Sequence, residues 1–275
     1  MLIKVLSENE AVSDDFKKEH GLSLYLETGR HKLFFDFGAG DNYLQNAEKL
    51  GVDVAAADFG VVSHGHHDHG GGLKSFLRLN RKTKIYIRQS AFGKQFSLKK
   101  SGEKSYIGLD REIQPDERFV FTGDSLEIED GLFLFSAVEG DRFVPSGNRN
   151  LYTERGSSLV PDDFIHEQNL LIKEGNIKLL LAGCAHRGIV NIIDHLYRTG
   201  YGPVTHVIGG FHLYNPSTDA YEDPQVIAGI ARCLQKTGVK YYTCHCTGLK
   251  PYRQLKEIMG EQISYLACGS VLDLS

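Results

Sequence analysis

The stretch Asp58-Phe59-Gly60-Val61-Val62-Ser63-His64-Gly65-His66-His67-Asp68-His69-Gly70-Gly71-Gly72-Leu73 sets the reading of the whole chain. A short apolar run, as expected of a strand covered on both faces, leads straight into His-x-His-x-Asp-His, and glycines then open a helix. In extended chain residues two apart point the same way, so His64 and His66 can share one metal ion, with Gly65 letting the backbone turn sharply. Asp68 and His69 are adjacent and diverge, which suits a second ion beside the first. Neutral imidazole and carboxylate are the donors expected for zinc or a similar borderline metal. The bland alternative is a solvated histidine-rich loop. Four His and one Asp in six positions directly after a buried strand argue against it, with His67, in the x position, expected to face solvent or a neighbouring group.

Outward from this loop, apolar runs recur at 2–6, 22–27, 32–37, 59–63, 84–88, 119–122, 132–138, 169–173, 178–182, 205–209, 240–244 and 263–267. Helical patterns fall at 41–50, 71–79, 188–199, 223–237 and 251–260, two of them with start signals at Asp223-Pro224 and Pro251. Strands with helices mostly between them predict a layered α/β fold. No boundary splits residues 1–275, so one domain is expected, with a polar excursion or lid at about 89–168. Lys and Arg of 94–118, with Arg142 and Arg149, are candidates for phosphate contacts from that lid, and Phe92, Phe96, Tyr106, Phe143 and Tyr214 are candidates to stack on a ring.

Composition narrows the setting. The 275 residues carry 31 Lys plus Arg against 35 Asp plus Glu, a net charge of −4 that argues against nucleic acid or an anionic membrane as the main partner. Five Cys, an odd number in a chain too large to need staples, read as free thiols in a reducing compartment. No run approaches the roughly 20 apolar residues of a membrane span, so a cytoplasmic location is expected. Of the remaining histidines, His212 sits in a Gly-Gly-Phe-His turn after a strand, open to a substrate or metal contact or to packing. His20, His31, His166, His195 and His206 take the structural reading, and Cys244 and Cys246 are expected to point away from His245.

The His-x-His-x-Asp-His loop at a strand end resembles the signature of the metallo-β-lactamase superfamily. Further motifs are similar to one branch of its metal-dependent hydrolases, which includes proteins named 7,8-dihydropterin-6-yl-methyl-4-(β-D-ribofuranosyl)aminobenzene 5′-phosphate synthase. They are His20-Gly21-Leu22-Ser23, Phe34-Phe35-Asp36-Phe37-Gly38, Gly183-Cys184-Ala185-His186-Arg187-Gly188, Gly209-Gly210-Phe211-His212 and Cys244-His245-Cys246-Thr247-Gly248. The resemblance implies a four-layer αββα sandwich with the metal site at one edge between two sheets. It also implies ligands from later strand ends: His186 as third ligand of the His64/His66 ion, and His245 with Asp68 and His69. Many members bridge the two ions with an Asp after a strand-Gly, and here that place holds Cys184, which either ligates as thiolate or is a small buried residue.

The activity so implied is that of a metal-dependent hydrolase acting on a phosphoester or similar anionic small molecule. An ion held by three protein ligands keeps an open position for water and lowers its pKa toward about 7. One or two divalent ions are expected, zinc foremost, with manganese or iron as alternatives. Asp68 would ligate and also orient or deprotonate the water, and His212 is the other catalytic candidate. The branch name suggests as an alternative a transferase joining a dihydropterin diphosphate to an arylamine nucleotide. A non-catalytic metal- or ligand-binding sensor is the reading from a different class.

Overall fold

The structure, a computed structural model, describes residues 1–274. Two seven-stranded sheets dominate it. The first runs in the order Val271–Asp273, Leu2–Ser7, Ser23–Glu27, Lys32–Phe35, Phe59–Val61, Lys84–Arg88, Phe119–Thr122. The second runs Ile263–Tyr265, Lys240–Thr243, His206–Gly209, Ile177–Leu181, Asn169–Glu174, Leu132–Phe135, Ser125–Glu129. Each sheet is antiparallel in one half and parallel in the other: Lys32–Phe35 through Phe119–Thr122 are parallel in the first, Ile177–Leu181 through Ile263–Tyr265 in the second.

Alternation along the strands sorts their apolar residues into layers. Leu24, Leu26, Leu33 and Phe35 pack between the sheets against Leu170, Ile172, Leu179 and Leu181, while Tyr25 and Phe34 point the other way. The helices Asn42–Lys49 and Leu73–Leu79 cover that outer face of the first sheet. Ile189–Arg198, Pro224–Gln235 and Leu249–Met259 cover the second. The result is the expected αββα sandwich. Asp223 accepts from the Gln225 N–H at 2.7 Å ahead of Pro224, as its sequence signal required. The last helix begins two residues before Pro251, because Gly248 at φ 73° makes the turn. Among the described residues no helix is long and apolar enough to cross a membrane.

The span 89–168 proves to be composite. Phe119–Thr122 and Ser125–Glu129 are edge strands of the two main sheets, and Leu132–Phe135 lies just inside the second of these edges. Only Gln95–Leu98, Lys104–Tyr106, Leu151–Arg155 and Ser158–Pro161 form a separate four-stranded sheet. Ser97, Tyr106 and Leu151 of that sheet border the cavity described next.

Candidate metal centre

The polar residues singled out in the sequence are carried past the C-terminal ends of parallel strands, the edge where open α/β sheets place their sites. Val61 leads to His64 and His66, Leu181 to Cys184 and His186, Gly209 to His212, and Thr243 to His245. Non-glycine residues with left-handed backbone concentrate there: Ala185 at φ 52°, His212 at 50°, His245 at 51° and, beneath them, Asp36 at 62°. Such strain costs of order 1–3 kcal/mol per residue and gathers at functional sites. Gly65 has a reason other than a sharp turn: a Cβ there would lie 2.4 Å from the Ala91 carbonyl oxygen.

At the first position, donor atoms of His64, His66 and His186 lie within 4.8 Å of one another, all three rings buried. His64 Nδ1 is bonded to Ser63 Oγ at 2.8 Å, and His186 Nδ1 to Asn148 Oδ1 at 2.9 Å. The Asn148 amide also donates to the His186 carbonyl at 2.8 Å, so that ring is held from two sides. Among the described residues the Nε2 atoms of His64, His66 and His186 have no hydrogen-bond partner. A buried nitrogen left unpaired costs about 1–3 kcal/mol, so three aimed into one small volume need an explanation, and a cation sharing their lone pairs supplies it. Burial and the neighbouring imidazoles depress all three, His66 to about 3, so each ring is neutral and able to ligate.

The second position lies alongside. Asp68 Oδ2 is 3.2 Å from His245 Nε2, 3.3 Å from His20 Nε2 and 3.8 Å from His69 Nε2. His69 Nε2 is in turn 3.2 Å from His245 Nε2 and 3.1 Å from Cys184 Sγ. The far sides of these rings are fixed, as metal-ligating imidazoles require. His69 Nδ1 is 2.6 Å from Asp36 Oδ2, and His245 Nδ1 is 2.8 Å from Asn9 Oδ1. Asp36 also accepts from Ser63 N and Ser63 Oγ, both at 2.7 Å. Burial opposes a charge on His69, but the Asp36 and Asp68 carboxylates outweigh it and raise its pKa to about 9. Burial likewise pushes Asp68 up, and the surrounding His69, His20 and His245 rings reverse this and hold it well below the usual carboxylate range.

Both positions open into one cavity of about 470 Å³, with His66, Asp68, His186, His212 and His245 on its polar side and Tyr106, Ile107, Leu151 and Pro216 on its apolar side.

Comparison with known proteins assigns the family. No family model matches the chain. A solved structure, Tm1679, described as a metal-dependent hydrolase of the beta-lactamase superfamily, is 30% identical and superposes with a TM-score of 0.84 over 100% of this chain and 99% of that one. The chain belongs to the metallo-β-lactamase superfamily. This superfamily member is also 27% identical, over 98% of its length and 95% of the relative's, to the 7,8-dihydropterin-6-methyl-4-(beta-D-ribofuranosyl)-aminobenzene-5'-phosphate synthase of Methanocaldococcus jannaschii. A metallo-beta-lactamase fold protein of Bacillus subtilis shares the fold at 10% identity, covering 99% of both chains with a TM-score of 0.58.

Within this metallo-β-lactamase fold the structure brings His64, His66, Asp68, His69, His186, His245 and Cys184 together and leaves His67 exposed at the cavity mouth. His212 joins them: its ring centroid is 4.3 Å from that of His186, and neither of its buried nitrogens has a partner. His20 does not behave as the sequence reading held, since it reaches Asp68. Cys246 also departs from it, because the chain turns into the short helix His245–Thr247 rather than continuing as a strand, which brings Cys246 back beside Cys184 and His245. His166 braces the metal loop, bonded to the Gly65 N–H at 3.1 Å and to Asp162 at 3.1 Å.

Among the described residues none of the basic lid candidates lines the cavity, and several are engaged in ion pairs. Lys94 pairs with Glu154, Lys99 with Glu103, Arg118 with Asp116 and Arg142 with Asp194. Arg149 borders a neighbouring recess of about 210 Å³. Of the aromatic candidates only Tyr106 lines the cavity; Phe92 is in the core, and Tyr214 stacks on Tyr221 with centroids 4.8 Å apart.

Proposed function

We propose that this protein is a metal-dependent hydrolase of a phosphoester or related anionic small molecule. The observation carrying the reading is the set of three unpartnered buried Nε2 atoms, of His64, His66 and His186, beside the Asp68 carboxylate at the cavity wall. In it His64, His66 and His186 would hold one divalent ion, and Asp68, His69 and His245 would hold a second, with Cys184 within reach of both sets; zinc is foremost, manganese and iron the alternatives. Such ions activate water and polarise a phosphoryl or carbonyl oxygen.

The chain's own groups do the rest. Asp68, kept ionised by its imidazole neighbours, is a weak base and a firm acceptor, so its part is to orient the attacking water through a hydrogen bond. His212, with free nitrogens at the cavity wall, is assigned to the leaving group, as ligand or proton donor. The cavity volume of about 470 Å³ suits a small molecule. No Lys or Arg is among the described lining residues, so a single phosphoryl or carboxyl group fits better than a polyphosphate or nucleic acid. The sheet strands at 95–106 and 151–161 serve as lid to a single catalytic unit. All five cysteines are free, which suits a reducing, cytoplasmic setting.

A second reading, group transfer by a synthase, is favoured by the near-full-length similarity to the archaeal relative and by the apolar wall of Tyr106, Ile107 and Leu151, on which a ring can lie. Metal analysis of the purified protein should find one or two equivalents of divalent ion, and a panel of model phosphodiesters and lactones should be turned over in a metal-dependent way. Activity unchanged in Asp68→Ala would refute the assigned centre; retained metal with coupling of a pterin diphosphate to an arylamine, and no hydrolysis, would favour the synthase.

A further inference from the structure

We infer that Cys184 and Cys246 form a thiolate pair facing the second metal position, which therefore selects zinc or another thiophilic divalent ion over manganese and magnesium. The inference rests on the two-position reading above and adds to it the identity of the ion.

Three observations converge on the pair. Donor atoms of Cys184, His245 and Cys246 lie within 4.8 Å of one another, and Cys184 also belongs with His64 and His69 and with His186 and His212. Its sulfur thus sits where both positions meet. Both thiols are nearly inaccessible to bulk solvent, at 3% and 2% exposure, yet both border the cavity, so they are turned toward the polar cluster rather than into the core. Cys244, by contrast, packs between the sheets.

The backbone is also shaped around Cys246. The left-handed His245, at φ 51°, reverses the chain, and Thr247 Oγ1 fixes the turn by accepting from the Phe211 N–H at 2.8 Å. Gly210 then leaves room for the sulfur, since a Cβ there would lie 2.4 Å from Cys246 Sγ. Two buried thiols that merely filled space would need neither the strained turn nor the glycine. Thiolate sulfur prefers zinc and its borderline neighbours, whereas manganese and magnesium prefer oxygen. On ligation each thiol gives its proton to solvent, so no oxidant or reductant is required.

Cobalt(II) tests this, because a thiolate ligand gives it an intense near-ultraviolet charge-transfer band that imidazole and carboxylate do not. The chelator-stripped protein, titrated with cobalt, should develop this band with the second equivalent. Cys246→Ser should lose about half of it, and Cys184→Ser/Cys246→Ser all of it, while the weaker visible bands of the first equivalent persist. In the unaltered protein, zinc should remove two thiols from reaction with a thiol reagent, and manganese at a hundredfold excess should remove none. Two bound equivalents of cobalt without the band, or a band indifferent to Cys246→Ser, would overturn the thiolate pair and leave the metal centre standing. A protein that binds no metal at all would overturn both.

Discussion

Asp36→Asn isolates the carboxylate on which both metal positions lean. Asp36 is fully buried; Oδ1 accepts from Ser63 N, while Oδ2 faces Ser63 Oγ at 2.7 Å and His69 Nδ1 at 2.6 Å. Asparagine keeps the first bond and presents an amide N–H where Oδ2 stood. His69 must then accept at Nδ1 and carry its proton on Nε2, the nitrogen that faces Asp68, His245 and Cys184. Loss of a hydrogen bond to a charged group costs about 1.5–3 kcal/mol, so the metal-free protein should lose stability in that range, read by urea unfolding. A lost partner behind a metal-bound histidine costs roughly 10–100-fold in affinity, about 1.4–2.7 kcal/mol. Competition against a chromogenic zinc chelator should show this loss at the second position. The first should weaken less than roughly tenfold, since only His64 is tied, through Ser63, to Asp36. An Asp36→Asn protein that binds both equivalents with unaltered affinity would refute the assignment of His69 as a ligand through Nε2.

Other consequences are as direct. Gly183→Ala would put a Cβ 2.2 Å from Ser63 Oγ and 3.1 Å from His64 Nδ1, and should cost about 1–3 kcal/mol in thermal unfolding. Gly123→Ala, with nothing within 4 Å, should be neutral. Asn148→Ala frees both bonds to His186 and should weaken the first equivalent by roughly 10–100-fold, with the second nearly unchanged in the same chelator competition. The two positions should also differ in pH dependence. His66 is held at about 3, and His64 and His186 below their ordinary value, so the first ion displaces no imidazole proton near neutrality. His69, raised to about 9, is protonated there, so the second ion must expel that proton and should weaken by at least roughly tenfold per pH unit as pH falls below 9. Calorimetry in buffers of different ionisation enthalpy counts the protons, and equal counts for the two equivalents would contradict this.

The two main sheets were legible because their strands are covered on both faces. All twelve apolar runs read from the sequence lie in them, with ends shifted by a few residues. The small sheet was not, since segments such as Lys104–Tyr106 and Ser158–Pro161 are thin, half exposed and carry no apolar period. Within the centre, the dense loop His64–His69 announced itself by spacing alone, and His186 and His245 through the family resemblance, which looks for ligands at later strand ends. His20 lies in a loop without periodicity and is brought to Asp68 only by tertiary packing. Cys246 was misread because strand alternation was extended past Thr243, where the backbone actually reverses at His245. Gly210 and Gly248, which make room for and end that turn, were the available sequence signals.

The small sheet bordering the cavity is fastened to the proposed metal centre. Its neighbouring turn Ser146–Asn150 holds His186 through Asn148, and Asn150 donates to Ser97 Oγ at 3.1 Å and to the Leu98 carbonyl at 3.1 Å. Swinging the sheet outward as a flap would therefore pull on His186, a proposed metal ligand. Loading the proposed first metal position would then act as a latch on the cover. Amide hydrogen exchange in 95–98 and 151–155 should slow when the first equivalent binds, and slow less in Asn148→Ala. A bound ion would in this way govern who enters as well as what happens inside.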